Sequence, residues 1–151
     1  MILDYTPRVE PFAEGETVKQ AILSSIFPRF IYADKATSGG HETFSRFTGH
    51  GIGINTSMGL SVVGEAYANY GSTGGAIFMF LLGLFYNFYL MILFRFIDGR
   101  HPILFFFIPM MFLLVVKAET DLTSTLNYLV KASISVAFVF YAARRFLRIN
   151  I

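Results

Sequence analysis

From Gly75 to Phe94 the chain runs for twenty residues without a formal charge. At about 1.5 Å per residue, a helix of that length covers a hydrocarbon core of about 30 Å. Twelve of those residues are Leu, Ile or Phe, each favouring insertion by roughly 0.3–0.6 kcal/mol near a helix centre. Their sum outweighs the single Asn87. Composition points the same way, with 54% of the 151 residues hydrophobic and 15% charged, where a soluble domain carries about a quarter charged. A soluble enzyme is disfavoured. Net charge is only +2 and no basic stripe is present, so no nucleic acid is expected as a partner. The chain has no cysteine, which removes disulfide frameworks and thiolate metal sites. The expectation is an all-α integral membrane protein in contact with membrane lipid.

Charge divides the chain in two. Residues 1–50 hold five basic and six acidic residues, with Pro7, Pro11, Pro28 and a glycine-rich stretch through Gly39, Gly40, Gly49, Gly51 and Gly53. That pattern predicts loops around one short helix, roughly Thr17 to Phe27, stopped by Pro28. Residues 1–74 therefore read as a loop region with short helices, and residues 75–151 as the transmembrane region. The start, Met1-Ile2-Leu3-Asp4, lacks a basic segment followed by a long apolar run. Loops placed outside the cytoplasm then need upstream membrane helices, and the chain reads as the C-terminal piece of something longer.

Three transmembrane helices are expected: 75–94, 102–118 and 124–143. The second carries Pro109 and needs a kink or local bilayer thinning; the third carries Lys131. If all three cross, Arg95, Arg100, Arg144, Arg145 and Arg148 share one side, which the positive-inside rule makes cytoplasmic. Were 102–116 a re-entrant loop, the two arginine groups would fall on opposite sides. The charge pattern favours three crossings, with residues 1–74 and Glu119–Asp121 extracytoplasmic.

Several residues are placed for chemistry. Arg29 and Lys35, beside Ile26-Phe27-Pro28, put two cations next to an apolar surface, and a planar guanidinium suits a diphosphate through two parallel hydrogen bonds. The alternative is an anchor for lipid headgroups. Glu65 and Asn69, four apart, share one face of a helix at the membrane boundary, where burial raises a carboxyl towards general-base use. Alternatively, Tyr67 and Tyr70 form an interfacial belt with Glu65 solvated. His50 lies in Gly49-His50-Gly51-Ile52-Gly53, which has neither the strand before it nor the helix after it that a nucleotide loop needs. No helical His-x-x-x-His spacing exists, so no metal is expected. Gly71 and Gly75 form a small-xxx-small pair suited to close helix packing. Lys131, deep in the third span, pairs with Asp121, Glu119 or a ligand phosphate, or snorkels outward.

The order Thr6-Pro7, Pro11-Phe12, Gly15, then Phe27-Pro28-Arg29 and Lys35, then Gly64-Glu65-Ala66-Tyr67-Ala68-Asn69-Tyr70-Gly71 and Gly74 before a span resembles the C-terminal part of bacterial oligosaccharide repeat-unit polymerases. These are the Wzy-type O-antigen and exopolysaccharide polymerases, polytopic enzymes with many more spans than this chain. The likeness covers nearly the whole chain. It implies glycosyl transfer at the outer face of the bacterial inner membrane, with a growing glycan moved from its polyprenyl diphosphate onto a new lipid-linked repeat unit. No cofactor is implied, because the diphosphate is the leaving group. In that setting Arg29 and Lys35 bind the diphosphate, Glu65 deprotonates or orients the acceptor, Asn69 positions a sugar, and His50 is a reserve base. Further transmembrane helices are implied as partners. Two other classes stay open: a lipid-linked glycan ligase or transporter, and a non-catalytic membrane subunit or fragment.

Overall fold

The computed structural model describes residues 2–27, 40–51, 58–99, 102–117 and 119–147, and all regular structure among them is helical. Three short helices come first: α1 (Ile2–Tyr5), α2 (Glu16–Ile26) and α3 (His41–Thr48). They are followed by the long α4 (Val62–Gly99), a 3-10 stretch (Pro102–Phe107), the single turns α5 (Ile108–Met111) and α6 (Leu113–Val116), and α7 (Leu122–Leu147). Helix α2 lies within a residue of the expected bounds at each end. Its Val18 and Ala21, three apart on one face, are buried.

Two helices, Val62–Ile97 and Leu122–Ala143, are long and apolar enough to cross a membrane. Only 6% of the apolar stretch of the first is buried inside the chain; Phe80, Leu81 and Phe88 all point outward. A core helix of a soluble protein hides such side chains, whereas a helix apolar all round suits lipid. Thirty-six residues would make a straight helix of about 54 Å, well beyond a core of about 30 Å. Helix α4 is not straight. It breaks at Gly71, and the uncharged run 75–94 is in the part that follows.

Helices α4 and α7 run in the same direction, joined through α2 at the near end and meeting directly at Tyr89 and Ser133. Phe78, Leu82 and Leu126 pack on the cluster of Val18, Ala21 and Leu122 at the near end, and Leu93 clusters with Val136 and Phe140 at the far end. Between them Tyr89 hydrogen-bonds Ser133, 44 positions on, the offset that also relates Phe78 to Leu122 and Leu82 to Leu126.

Parallel neighbours cannot be joined by a tight turn, so the chain between them must return. The Phe107 ring meets Phe140 at the far end, Tyr128 Oη donates to the Met110 carbonyl at 3.0 Å, and Val62 N–H donates to the Thr120 carbonyl at 3.1 Å at the near end. The expected span 102–118 is thus broken into a 3-10 stretch and two single turns, with Pro109 at the start of α5. Proline removes a helical hydrogen bond and clashes with the preceding turn. No single helix in this stretch is long enough to cross a membrane, yet it travels back along the pair.

Candidate functional site

Glu65 and Asn69 share a face of α4 before its break, and both are buried, at 3% and 1% exposure. The break is sharp. Gly71 takes φ 68° and ψ −166°, a region essentially closed to residues with a Cβ. In a straight helix Gly75 would stand about 13 Å beyond Ala66; here a Cβ at Gly75 would sit 3.1 Å from the Ala66 carbonyl oxygen. Gly75 therefore packs against the first part of its own helix, where the small-residue spacing had pointed to packing between helices.

Breaking a helix frees carbonyls that must find donors. Those of Ala68 and Asn69 accept the N–H groups of Ala13 at 2.9 Å and Glu14 at 3.1 Å. Left-handed backbone at Glu14 and Gly15 then turns the chain into α2. The Asn69 side chain completes the joint. Its Oδ1 accepts the Gly15 N–H at 3.1 Å, and its Nδ2 donates to Thr17 Oγ1 at 2.6 Å and to the Glu65 carbonyl at 2.7 Å. Tyr67 Oη donates to the Thr6 carbonyl at 3.2 Å, and its ring meets Phe12 edge-on. Tyr67 is thereby tied into the fold. The stretches Thr6–Gly15 and Gly64–Gly71, far apart in sequence, are neighbours in space.

On its other side Glu65 faces the start of α7. Its Oε1 accepts the Leu122 N–H at 3.4 Å, while Asp121 Oδ2 accepts the Ser124 N–H at 2.9 Å and caps the helix. Two carboxyl groups thus meet the N-terminus of a helix, where the macrodipole favours negative charge. Burial is the larger influence. It pushes the Glu65 carboxyl up to about 8, with the Asp121 charge acting the same way and the Leu122 N–H opposing both. Glu65 precedes the Gly71 break and lies outside the uncharged run 75–94.

Asp121 belongs to this cluster, although the sequence suggested it only as a counter-ion for Lys131. Its signal was an acidic residue directly before an apolar run, with Ser124 three positions on, which marks a helix start. Thr17 carried no comparable signal. Beside the cluster, α2, α4 and α7 enclose an apolar groove of ≈ 290 Å³ lined by Val18, Ile22, Ile26, Phe78, Phe85 and Leu126 among others.

Of the remaining candidates, His50 and Lys131 are not gathered there. Arg29 and Lys35 lie outside the described residues. His50 is exposed just after α3, with Nδ1 2.9 Å from the Thr48 carbonyl; among the described residues no hydrogen bond or ion pair joins it to Glu65. Lys131 is exposed on α7 and pairs with neither Asp121 nor Glu119. No group of three or more potential metal ligands exists among the described residues. Comparison of the chain with protein-family models, curated proteins and solved structures found no match.

Proposed function

We propose that this chain is part of a glycosyltransferase that polymerises polyprenyl-diphosphate-linked repeat units into O-antigen or exopolysaccharide at the outer face of the bacterial inner membrane. In this reading the 102–118 stretch is a third crossing, and the Glu65 cluster faces outward. A return along parallel α4 and α7 agrees with that, as does the arginine pattern. The observation that carries the proposal is the Glu65 carboxyl, raised to about 8 by burial and set beside an apolar groove. A carboxyl near the working pH is suited to proton transfer, and the groove suits an isoprenoid chain. Ile26 lines that groove, and Arg29 follows three positions later in sequence.

The chemistry is a displacement. The acceptor hydroxyl oxygen bonds to the donor's anomeric carbon while the carbon–oxygen bond to the diphosphate breaks. The leaving diphosphate takes the electron pair, with Arg29 and Lys35 stabilising its charge, and Glu65 takes the hydroxyl proton. The turn at residues 119–122 covers Glu65 in this chain, so the acceptor must displace it. His50 has a place only as a peripheral contact to the substrate.

A second reading is favoured by one observation: every polar side-chain atom of Asn69 is engaged within the chain. A joint of that kind belongs equally to a non-catalytic membrane subunit. Polysaccharide ladder length, measured beside protein abundance in the full-length chain, separates the two. The enzyme reading expects Glu65→Gln to keep abundance and collapse the ladder, since a general base contributes roughly 10²–10⁴-fold. It expects Arg29→Lys to be nearly as damaging as Arg29→Ala, because an ammonium lacks the guanidinium fork. Normal ladders in both Glu65→Gln and Arg29→Lys would leave the subunit reading.

A further inference from the structure

Lys131 is exposed on α7, nine residues past Leu122 and so about 13 Å along the helix, further than an extended lysine stem spans. Ser135, four residues on and on the same face, is also exposed, as are Ile134 at 64% and Phe138 at 67%. This face is turned away from α4. A bare ammonium against lipid tails is costly, and intramembrane charges characteristically face a bundle interior and pair there.

The other helix repeats the pattern. The register that joins Tyr89 to Ser133 puts Asn87 at the level of Lys131, and Asn87 is exposed on the side of α4 turned away from α7. Each outward face thus carries a polar group at the same depth, as expected of helices inside a larger bundle.

We propose that the Lys131 face of α7 is the seat of a further membrane-spanning helix that brings a carboxylate to the same depth. A second copy of this chain cannot supply it, because residues 75–94, 102–116 and 122–143 contain no Asp or Glu. Ile134 and Phe138 provide the apolar flanks for packing. The inference rests on α7 crossing the membrane and is independent of glycosyl transfer.

The test uses the chain in its native membrane, treated with dicyclohexylcarbodiimide. This apolar reagent activates a membrane-embedded carboxyl, and an adjacent lysine amine then displaces the urea to form an amide. The expected result is an amide between Lys131 Nζ and an Asp or Glu of an apolar peptide, located by mass spectrometry and absent in Lys131→Arg. Membrane abundance should hold in Lys131→Arg and fall several-fold in Lys131→Leu, which leaves the partner carboxylate unpaired. Absence of the amide overturns the proposal. So does an amide to Asp98 or Glu119 of a second copy, or acylation of Lys131 by a membrane-impermeant ester in intact cells.

Discussion

The Asn69 amide oxygen accepts the Gly15 N–H at 3.1 Å, across 54 positions of sequence. That bond fixes where α2 begins relative to the bend in α4, and with it one wall of the apolar groove. Gly15 has little alternative: its backbone sits at φ 90°, where residues with a Cβ are strained.

Asn69→Ala should therefore cost stability before anything else. Removing the amide leaves the part-buried Gly15 N–H and the buried Glu65 carbonyl short of partners, at about 1–3 kcal/mol for an unsatisfied buried group. Thermal unfolding of the detergent-solubilised chain should show the loss, with α2 more open to protease. An unchanged midpoint together with a lost glycan ladder would instead make Asn69 a sugar ligand.

The Glu65 carboxyl gives stability a definite pH dependence. Its value in the folded chain, about 8, lies above the ordinary 4.5, so between those values the folded state binds more protons than the unfolded one. Stability contributed by the protonated form is then complete below about 4.5 and falls as pH rises to about 8. Glu65→Gln should flatten this decline. Hydrogen exchange at Leu122, whose N–H meets the carboxyl, reads it locally; an identical pH profile in wild type and Glu65→Gln would contradict the assignment.

At Gly71 the backbone itself is the test. With φ 68° and ψ −166°, Gly71→Ala should destabilise by about 1–3 kcal/mol, since its Cβ would also press on the Phe12 ring at 3.2 Å. Gly83, helical and with nothing near its Cβ position, is the control: Gly83→Ala should be neutral or stabilising. Equal behaviour of the two variants would mean that α4 is not bent at Gly71.

Topology is open to single-cysteine labelling, because the chain has no cysteine of its own. A cysteine at the exposed Ser72 or at Glu119 should react with an impermeant maleimide from the extracytoplasmic side. One at Arg95 should require permeabilisation. The reverse pattern would invert the proposed orientation and move Glu65 to the cytoplasmic face.

Local signals read well from the sequence. Pro28 located the end of α2, and the uncharged run at 75–94 lies within the second part of α4. Helix α7 begins at Leu122, two residues before the expected start, because Asp121 caps it. Non-local relationships were less legible. A glycine in an apolar helix can mark packing or a break, and only the Ala13 and Glu14 donors at the freed carbonyls decide for a break at Gly71. The meeting of Glu65 with Leu122 depends on the return of 102–121, which hydropathy does not trace.

The shared direction of α4 and α7 also constrains how the chain assembles. Neighbouring antiparallel helices can pair as soon as the second emerges, but Tyr89 cannot meet Ser133 until the whole intervening stretch has doubled back. The pairing is of high contact order, a class that forms late and slowly. During synthesis the far part of α4 must wait with its contact face unoccupied, while its near end is held by α2 and by the stitches from Ala13, Glu14 and Gly15. Helix α7, carrying Lys131, arrives later. Truncation anywhere between Gly99 and Leu122 should accordingly leave an α4 that inserts yet never acquires its partner, exposing Phe78, Leu82 and Leu93 to whatever surveys the membrane for unassembled helices.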